Sequence, residues 1–504
     1  MASNDSDRED RDVRATGSRR QSAKTFVDPL LREDGGASED ARQRLLYVVD
    51  GRTAVLVELD VTNGPSSART AFRALFARTF PDRQVPEPVP IGRQYLRCML
   101  TSAEIRRLAR ADRDGTVAPS IFRIWSDLRI VPHIDRSVAT VKADAAARSY
   151  GTTGQDIVWA VVDSGIDSSH EHFGCGTVTD TKVRQLHRDF TALLTGASRP
   201  RGPKGALEDQ CGHGTHVAAI IAGRVPPSPQ VRVAVNQPTF EDLPQWEARS
   251  PQPGRPLTSM APMTRLVSLK VLDDRESTSA SVVIAALNYV RSVNADGRLR
   301  IHGVNLSIGC DWYPDQYAAG QSPLCRTVDE LVDSGVVVVV SAGNRGAAGT
   351  LSGGSDDVRG QLSTITDPGN AAKAITVGST HRYAPHTYGI SYTSSKGPTL
   401  DGRLKPDVVA PGERITSAAT GAMREGITPL DGADVIAYVE GTGTSMAAPH
   451  VSGAVAAFLS VRQEFIGQPD EVKRLFCENA TSLGRHEFYQ GAGIVDLMRV
   501  LSSV

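Results

Sequence analysis

The chain has 504 residues, 40% hydrophobic and 22% charged, with 56 Lys and Arg set against 57 Asp and Glu. That length supports a large core and more than one domain. A net charge of −1 leaves no global field to favour nucleic acid or a membrane surface, and no uninterrupted apolar run reaches bilayer length.

Residues 1–43 are rich in Asp, Glu, Arg, Ser and Gly. Such a segment buries too little to offset its ordering and is expected to be disordered or loosely attached. Residues 1–10 carry no apolar stretch, so no secretory signal is read and a cytoplasmic location is expected. The pattern changes at Arg44. Residues 45–49 and 53–59 read as strands about an Asp50-Gly51 turn. Ala71, Phe72, Leu75 and Phe76 have helical spacing within residues 68–80, and residues 95–100 read as strand. Thr101-Ser102-Ala103-Glu104 has the capping-box pattern of a helix start. Strands at 121–125 and 128–131 close residues 44–135 as a small α+β unit.

Near residue 137 the style changes, and residues 138–504 read as a second domain. Residues 158–163 form a near-continuous apolar run that ends at Asp163, just before a Gly165 turn. Such runs fit strands buried on both faces, and parallel sheets bind ligands beyond their C-terminal strand ends. Asp163 thus occupies a functional position, or is a turn Asp bonding its own loop. Gly212-His213-Gly214-Thr215-His216 opens a small-residue helix whose glycines keep the His213 ring accessible. His213 and His216, three apart, admit a metal-dependent hydrolase reading, but no third ligand cluster accompanies them and no metal is assigned. His216 reads instead as a structural, hydrogen-bonded histidine. Residues 225–258, rich in Pro, Gln, Arg and Trp, read as a surface insertion.

Strands at 265–272, 303–309, 336–340, 374–378 and 407–410 follow, alternating with helices at 279–293 and 328–332 and ending in helices at 471–477 and 494–501. This alternation implies an α/β fold, a mostly parallel sheet with helices on both faces. Gly441-Thr442-Gly443-Thr444-Ser445 runs into a helix that is apolar nearly all round. Ser445 at its mouth would stand among free amide N–H groups and the positive end of the helix dipole, which favour a forming oxyanion. The alternative is an N-cap serine. Pro449 is expected in the first turn, where its missing N–H costs least. The six cysteines, Cys98, Cys175, Cys211, Cys310, Cys325 and Cys477, match no zinc spacing and read mostly as free thiols. A Cys310–Cys325 pair is the alternative for an exported chain. Cys211, two residues before His213, reads as a small buried residue or as a point of sensitivity to thiol reagents.

Three stretches, residues 160–167, 212–217 and 443–450, resemble the Asp, His and Ser blocks of the subtilisin-like serine proteases, in that family's chain order. Ser307-Ile308-Gly309, Ala342-Gly343-Asn344 and residues 405–412 are similar to lesser blocks, and the resemblance covers about residues 138–501. It implies the subtilisin-like three-layer fold and a serine endopeptidase acting on polypeptides. In that role Ser445 is similar to the nucleophile, His213 to the general base and Asp163 to the carboxylate that orients it. Asn344 resembles the oxyanion-hole donor. Ser307, Ile308 and Gly309 resemble the edge that pairs with an extended substrate, and Ala342 and Gly343 the pocket lining. Residues 44–135 resemble the ferredoxin-like propeptide, which implies an intramolecular inhibitor with a junction between about residues 126 and 137. No calcium-loop motif follows the His helix, so no cofactor is assigned. The rival from another class is an inactive subtilase fold used for binding.

Overall fold

The structure is a computed structural model. It describes residues 27–28, 31, 48–49, 51–62, 64–81, 85–91, 94–114, 119–126, 135–225, 231–237, 245–249, 257–311, 318–348, 359–427 and 436–504. The chain divides into two compact units, residues 1–131 and 132–504.

The first unit runs β-α-β-β-α-β. Arg52–Leu59 pairs with Tyr95–Leu100 on one side and Ile121–Ser126 on the other, and Val89–Ile91 lies beyond Tyr95–Leu100; every pair is antiparallel. This is ferredoxin-like order, with helices Pro65–Thr79 and Ser102–Asp112 packing Phe72, Leu75, Ile105 and Leu108 onto Val55, Val57, Leu96 and Ile124. The expected capping box is formed: Thr101 Oγ1 accepts from Glu104 N at 3.2 Å, and Glu104 Oε2 accepts from Thr101 N at 2.8 Å. One expectation is corrected. Within the segment read as disordered, Val27 and Leu31 are buried in this unit's core, and Asp28 N donates to Ile124 O at 2.9 Å. Two isolated apolar side chains in a polar segment give no periodic signal. The remainder of that segment and the strand expected at 128–131 lie outside the described residues.

The second unit is built on seven parallel strands: β1 (Val158–Asp163), β2 (Arg188–Asp189), β3 (Arg265–Lys270), β4 (Gly303–Leu306), β5 (Val337–Ser341), β6 (Ile375–His381) and β7 (Val408–Glu413). Their spatial order is β7-β6-β5-β4-β1-β3-β2. Every residue of β1 and β5 is buried, because alternate side chains enter two different cores. Trp159, Val161, Val337 and Val339 meet helices α1 (His213–Ile221) and α4 (Thr444–Val461). Val158, Ala160, Val162, Val338 and Val340 meet α2 (Ala280–Val293) and α3 (Pro323–Asp333). By length and composition α4 is apolar enough to cross a bilayer, yet 83% of it is buried inside this unit, so its apolarity is that of a central core helix.

The segment read as a surface insertion is not all loop. Arg232–Gln237 and Gln245–Arg249 form an antiparallel hairpin, and Arg232–Gln237 pairs in parallel with Ile436–Gly441, the strand that delivers the chain to α4. Val231, Val233, Ala234 and Val235 are buried there. Four apolar residues interrupted by Arg232, between Pro-rich and polar flanks, were too short a run to outweigh the composition around them.

Candidate active site

Asp163 ends β1, Ser307 directly follows β4 and Asn344 lies three residues beyond β5, at the C-terminal ends of three adjacent parallel strands. Leu306 is level with Val162 on one side and Val340 on the other, so the residues just beyond stand about 5 Å apart from strand to strand. The sheet therefore brings together side chains that are far apart in the chain.

Asp163 is almost fully buried, and its Oδ1 accepts from Ser164 N at 2.8 Å and from His213 Nδ1 at 2.7 Å. His213 is the first residue of α1 and is entered from Gly212, whose φ of 97° is left-handed and whose Cβ, if present, would lie 2.2 Å from Thr420 O. Burial would lower the His213 pKa. The charge and hydrogen bond of Asp163 oppose this, helped by Glu276 and Asp209, and the net effect raises it above an ordinary histidine. His216 is fully buried beside Gly441 and Met446, and burial pushes its pKa down to about 3.

The sequence reading did not single out Asp209, which joins the two blocks. Its carboxylate accepts from Gly212 N (2.8 Å), Thr215 N (2.8 Å), Thr215 Oγ1 (2.6 Å) and Ser164 Oγ (2.9 Å), while Ser164 Oγ accepts from Gly214 N (2.8 Å). Asp209 thus caps the first turn of α1 and ties it to the residue after Asp163. An Asp placed just ahead of a helix start was the available signal.

Ser445 is the second residue of α4, and Gly443 is the N-cap, so the N-cap reading of Ser445 does not hold. Its Oγ donates to Ser307 O at 2.9 Å, and Ser307 Oγ donates to Ser445 O at 2.8 Å. Pro449 is not in the first turn: it lies inside the helix, four residues after Ser445. A residue with an N–H there would bond the Ser445 carbonyl; proline leaves that carbonyl to Ser307. Ser307 is held in turn by Asn305 Nδ2 (2.9 Å), and Asn305 Oδ1 accepts from Ser452 Oγ of α4 (2.8 Å). Among the described residues no hydrogen bond joins Ser445 Oγ to His213. Asn344 Oδ1 accepts from Thr444 N at 3.0 Å and from Thr444 Oγ1 at 3.2 Å. Among the described residues that orientation leaves Asn344 Nδ2 without an acceptor, and the Ser445 N–H, in the first turn of α4, is one of the donors that a helix start leaves unpaired.

These groups open on a cavity of ≈ 400 Å³ lined by Ser307, Gly309, Gly343, Asn344, Thr366 and Ser445, and also by Cys310, Asp311 and Arg345. Of the five expected substrate contacts, Ser307, Gly309 and Gly343 are in this wall. Ala342 and Ile308 are not: Ala342 is fully buried and Ile308 packs against the core on the α2–α3 face. Thr366, and the place of Cys310 in this wall, escaped notice because the Cys310–Asp367 bridge that builds it joins segments distant in sequence.

All six cysteines are free. Cys211 is buried, donates to Glu276 Oε1 at 2.9 Å, and is pushed up to about 12 by burial and that bond. Cys310 is exposed and lines the cavity. A maleimide at mildly alkaline pH is therefore expected to inactivate the protein through Cys310. Progress curves for Cys310→Ser should show resistance while Cys211→Ser remains as sensitive as the parent; the reverse pattern would contradict this assignment.

Comparison with known proteins extends these observations. Residues 154–494 match the model of the Subtilase family. Subtilisin E of Bacillus subtilis (strain 168) is 30% identical over 360 residues, covering 71% of this chain and 69% of that protein. Serine protease AprX of the same organism is 27% identical over 386 residues, covering 75% and 73%. Among solved structures, a cold adapted subtilisin-like serine proteinase matches with a TM-score of 0.43 and 22% identity, over 68% of this chain and 88% of that one.

Proposed function

The chain belongs to the subtilase family and is a serine endopeptidase, and on that premise we propose that Ser445 is its nucleophile, His213 its general base and Asp163 the carboxylate that orients the base. The observation that carries this assignment is the 2.7 Å bond that Asp163 Oδ1 accepts from His213 Nδ1, one strand away from the Ser445 hydroxyl. With Nδ1 donating to Asp163, Nε2 is the basic nitrogen. Ser445 Oγ gives up its bond to Ser307 O, passes its proton to Nε2 and adds to the peptide carbonyl carbon. The carbonyl oxygen becomes an oxyanion and accepts from Asn344 Nδ2 and the Ser445 N–H. Collapse breaks the C–N bond, and the amine leaves with the proton from Nε2. Water then repeats the sequence on the acyl-enzyme. The substrate is a polypeptide, and its extended backbone pairs along Ser307 to Gly309.

A fluorophosphonate is expected to label the protein at Ser445 and to fail with Ser445→Ala and His213→Ala; labelling that persists in Ser445→Ala would end the assignment. The N-terminal unit acts as an intramolecular inhibitor, released at a junction between about residues 126 and 137; residues 127–134 of this stretch lie outside the described residues. Support comes from its ferredoxin-like topology and its position before the peptidase unit. Intact masses should show the parent cut near the junction and Ser445→Ala whole. Identical processing of the two proteins would rule out self-cleavage.

A further inference from the structure

The segment carrying Asn344 is laced to residues 393–395 by three hydrogen bonds that use its backbone groups. Ser395 N donates to Gly343 O at 2.8 Å, Ser395 Oγ accepts from Arg345 N at 3.0 Å, and Gly346 N donates to Thr393 O at 2.9 Å. The fourth lace is a side chain. Lys396 is 4% exposed, and its ammonium donates to three backbone carbonyls: Gly346 O at 2.8 Å, Tyr392 O at 2.9 Å and Ser394 O at 2.9 Å. The approach is close. A Cβ on Gly346 would lie 1.8 Å from Ser394 O and 2.3 Å from Lys396 Nζ. Three donors meet three acceptors, and the ring of Tyr489 lies 5.5 Å from the ammonium. Among the described residues no carboxylate pairs with it, and burial pushes its pKa down to about 8. A cation kept in a dry site without a counter-ion is costly unless it is fully hydrogen-bonded, which this one is.

An apolar side chain of the same length would fill this space without that cost. What it would not do is pull a carbonyl two residues after Asn344 onto the 392–394 turn. We propose that Lys396 is a positioning residue for the oxyanion donor: its ammonium clamps Gly346 to the 392–394 turn and thereby holds the Asn344 amide at the reacting oxygen. This rests on the oxyanion role given above to Asn344. Lys396 touches no substrate; it acts through the backbone between Gly343 and Gly346. A displacement on the order of 1 Å at a catalytic donor is enough to cost up to about 100-fold in rate.

The test is a double-mutant cycle on the full chain, with a chromogenic peptide substrate and sites titrated by a fluorophosphonate. Lys396→Met is expected to lower kcat by about 10- to 100-fold with KM little changed, and to weaken a peptidyl boronic acid by a similar factor. The tetrahedral boronate adduct puts an oxygen where the oxyanion forms. Added to Asn344→Ala, Lys396→Met should cost almost nothing further. Lys396→Gln, which keeps a shorter neutral donor, carries the same test if Lys396→Met does not fold, and should show a smaller loss with the same non-additivity. A full loss repeated in the Asn344→Ala background would mean that Lys396 supports the fold generally, and would overturn the proposal, as would an unchanged kcat. If Asn344→Ala itself leaves kcat intact, the oxyanion reading fails first and the proposal falls with it, an outcome visible before the cycle is closed.

Discussion

Asp163→Asn is expected to lower kcat by about 10⁴-fold while leaving the protein folded. The carboxylate accepts a proton-bearing Nδ1, and an amide in its place can present its NH₂ to that nitrogen instead. The imidazole then takes the other tautomer, with the proton on Nε2, and cannot accept from Ser445. KM should change little, because Asp163 is buried and touches no substrate. The pH profile supplies a second readout. With Asp163 present, the acid limb of kcat/KM is expected above the usual histidine range, since the free enzyme must lose a proton from His213 before it can act. In Asp163→Asn the residual activity should titrate at lower pH, with only Glu276 and Asp209 left to raise His213. Stability follows with its own sign. A histidine raised on folding adds stability that is full below its unfolded pKa of about 6.5 and is lost as pH rises through the folded value. The parent should therefore exceed Asp163→Asn in Tm most at low pH and least at high pH. A parent acid limb at or below pH 6.5 would contradict the Asp163–His213 coupling, whatever the size of the kcat loss.

What the sequence made legible and what it hid divide along one physical line. Buried parallel strands announce themselves because both faces must be apolar: Val336 to Val340 and Val158 to Val162 read as strands, and Val337–Ser341 and Val158–Asp163 are strands. The Ser, His and Asp blocks were legible because their glycines and small residues are dictated locally, by helix starts and close backbone approach. The N-terminus of α4 was legible only in part. Proline in a helix reads as a first-turn residue until the partner that relieves it is known, and that partner is Ser307, far upstream. Asp209 was hidden for the same reason: two of its four bonds end on Thr215, but another runs to Ser164 on a different strand end. Lys396 carried no signal in the sequence, because a cradle of carbonyls leaves no trace in side-chain identity. Features set by spacing along the chain could be read. Features set by which strands become neighbours needed the sheet.

Asn344→Ala is expected to cost about 10²–10³-fold in kcat, the range for loss of one oxyanion donor, with KM nearly unchanged. The side chain does two things, and they can be separated. Its Oδ1 receives Thr444 N and Thr444 Oγ1, which makes it an outside cap for the first turn of α4. The residue lines the cavity, and Nδ2 is the donor that the cap leaves over. Alanine removes both functions, so it should also lower stability by about 1 kcal/mol, the usual cost of a lost N-terminal cap. Asn344→Asp keeps an acceptor for Thr444, and its charge suits a helix N-terminus. It should retain stability near that of the parent. Yet it offers no donor to the oxyanion and sets a negative charge beside one, so its kcat should fall at least as far as that of the alanine variant. Thermal midpoints and kcat measured on the same preparations would show stability and rate moving independently across the three proteins. If rate tracked stability instead, with Asn344→Asp as active as the parent, then Asn344 would be a cap and nothing more. The oxyanion would in that case be left to the Ser445 amide alone.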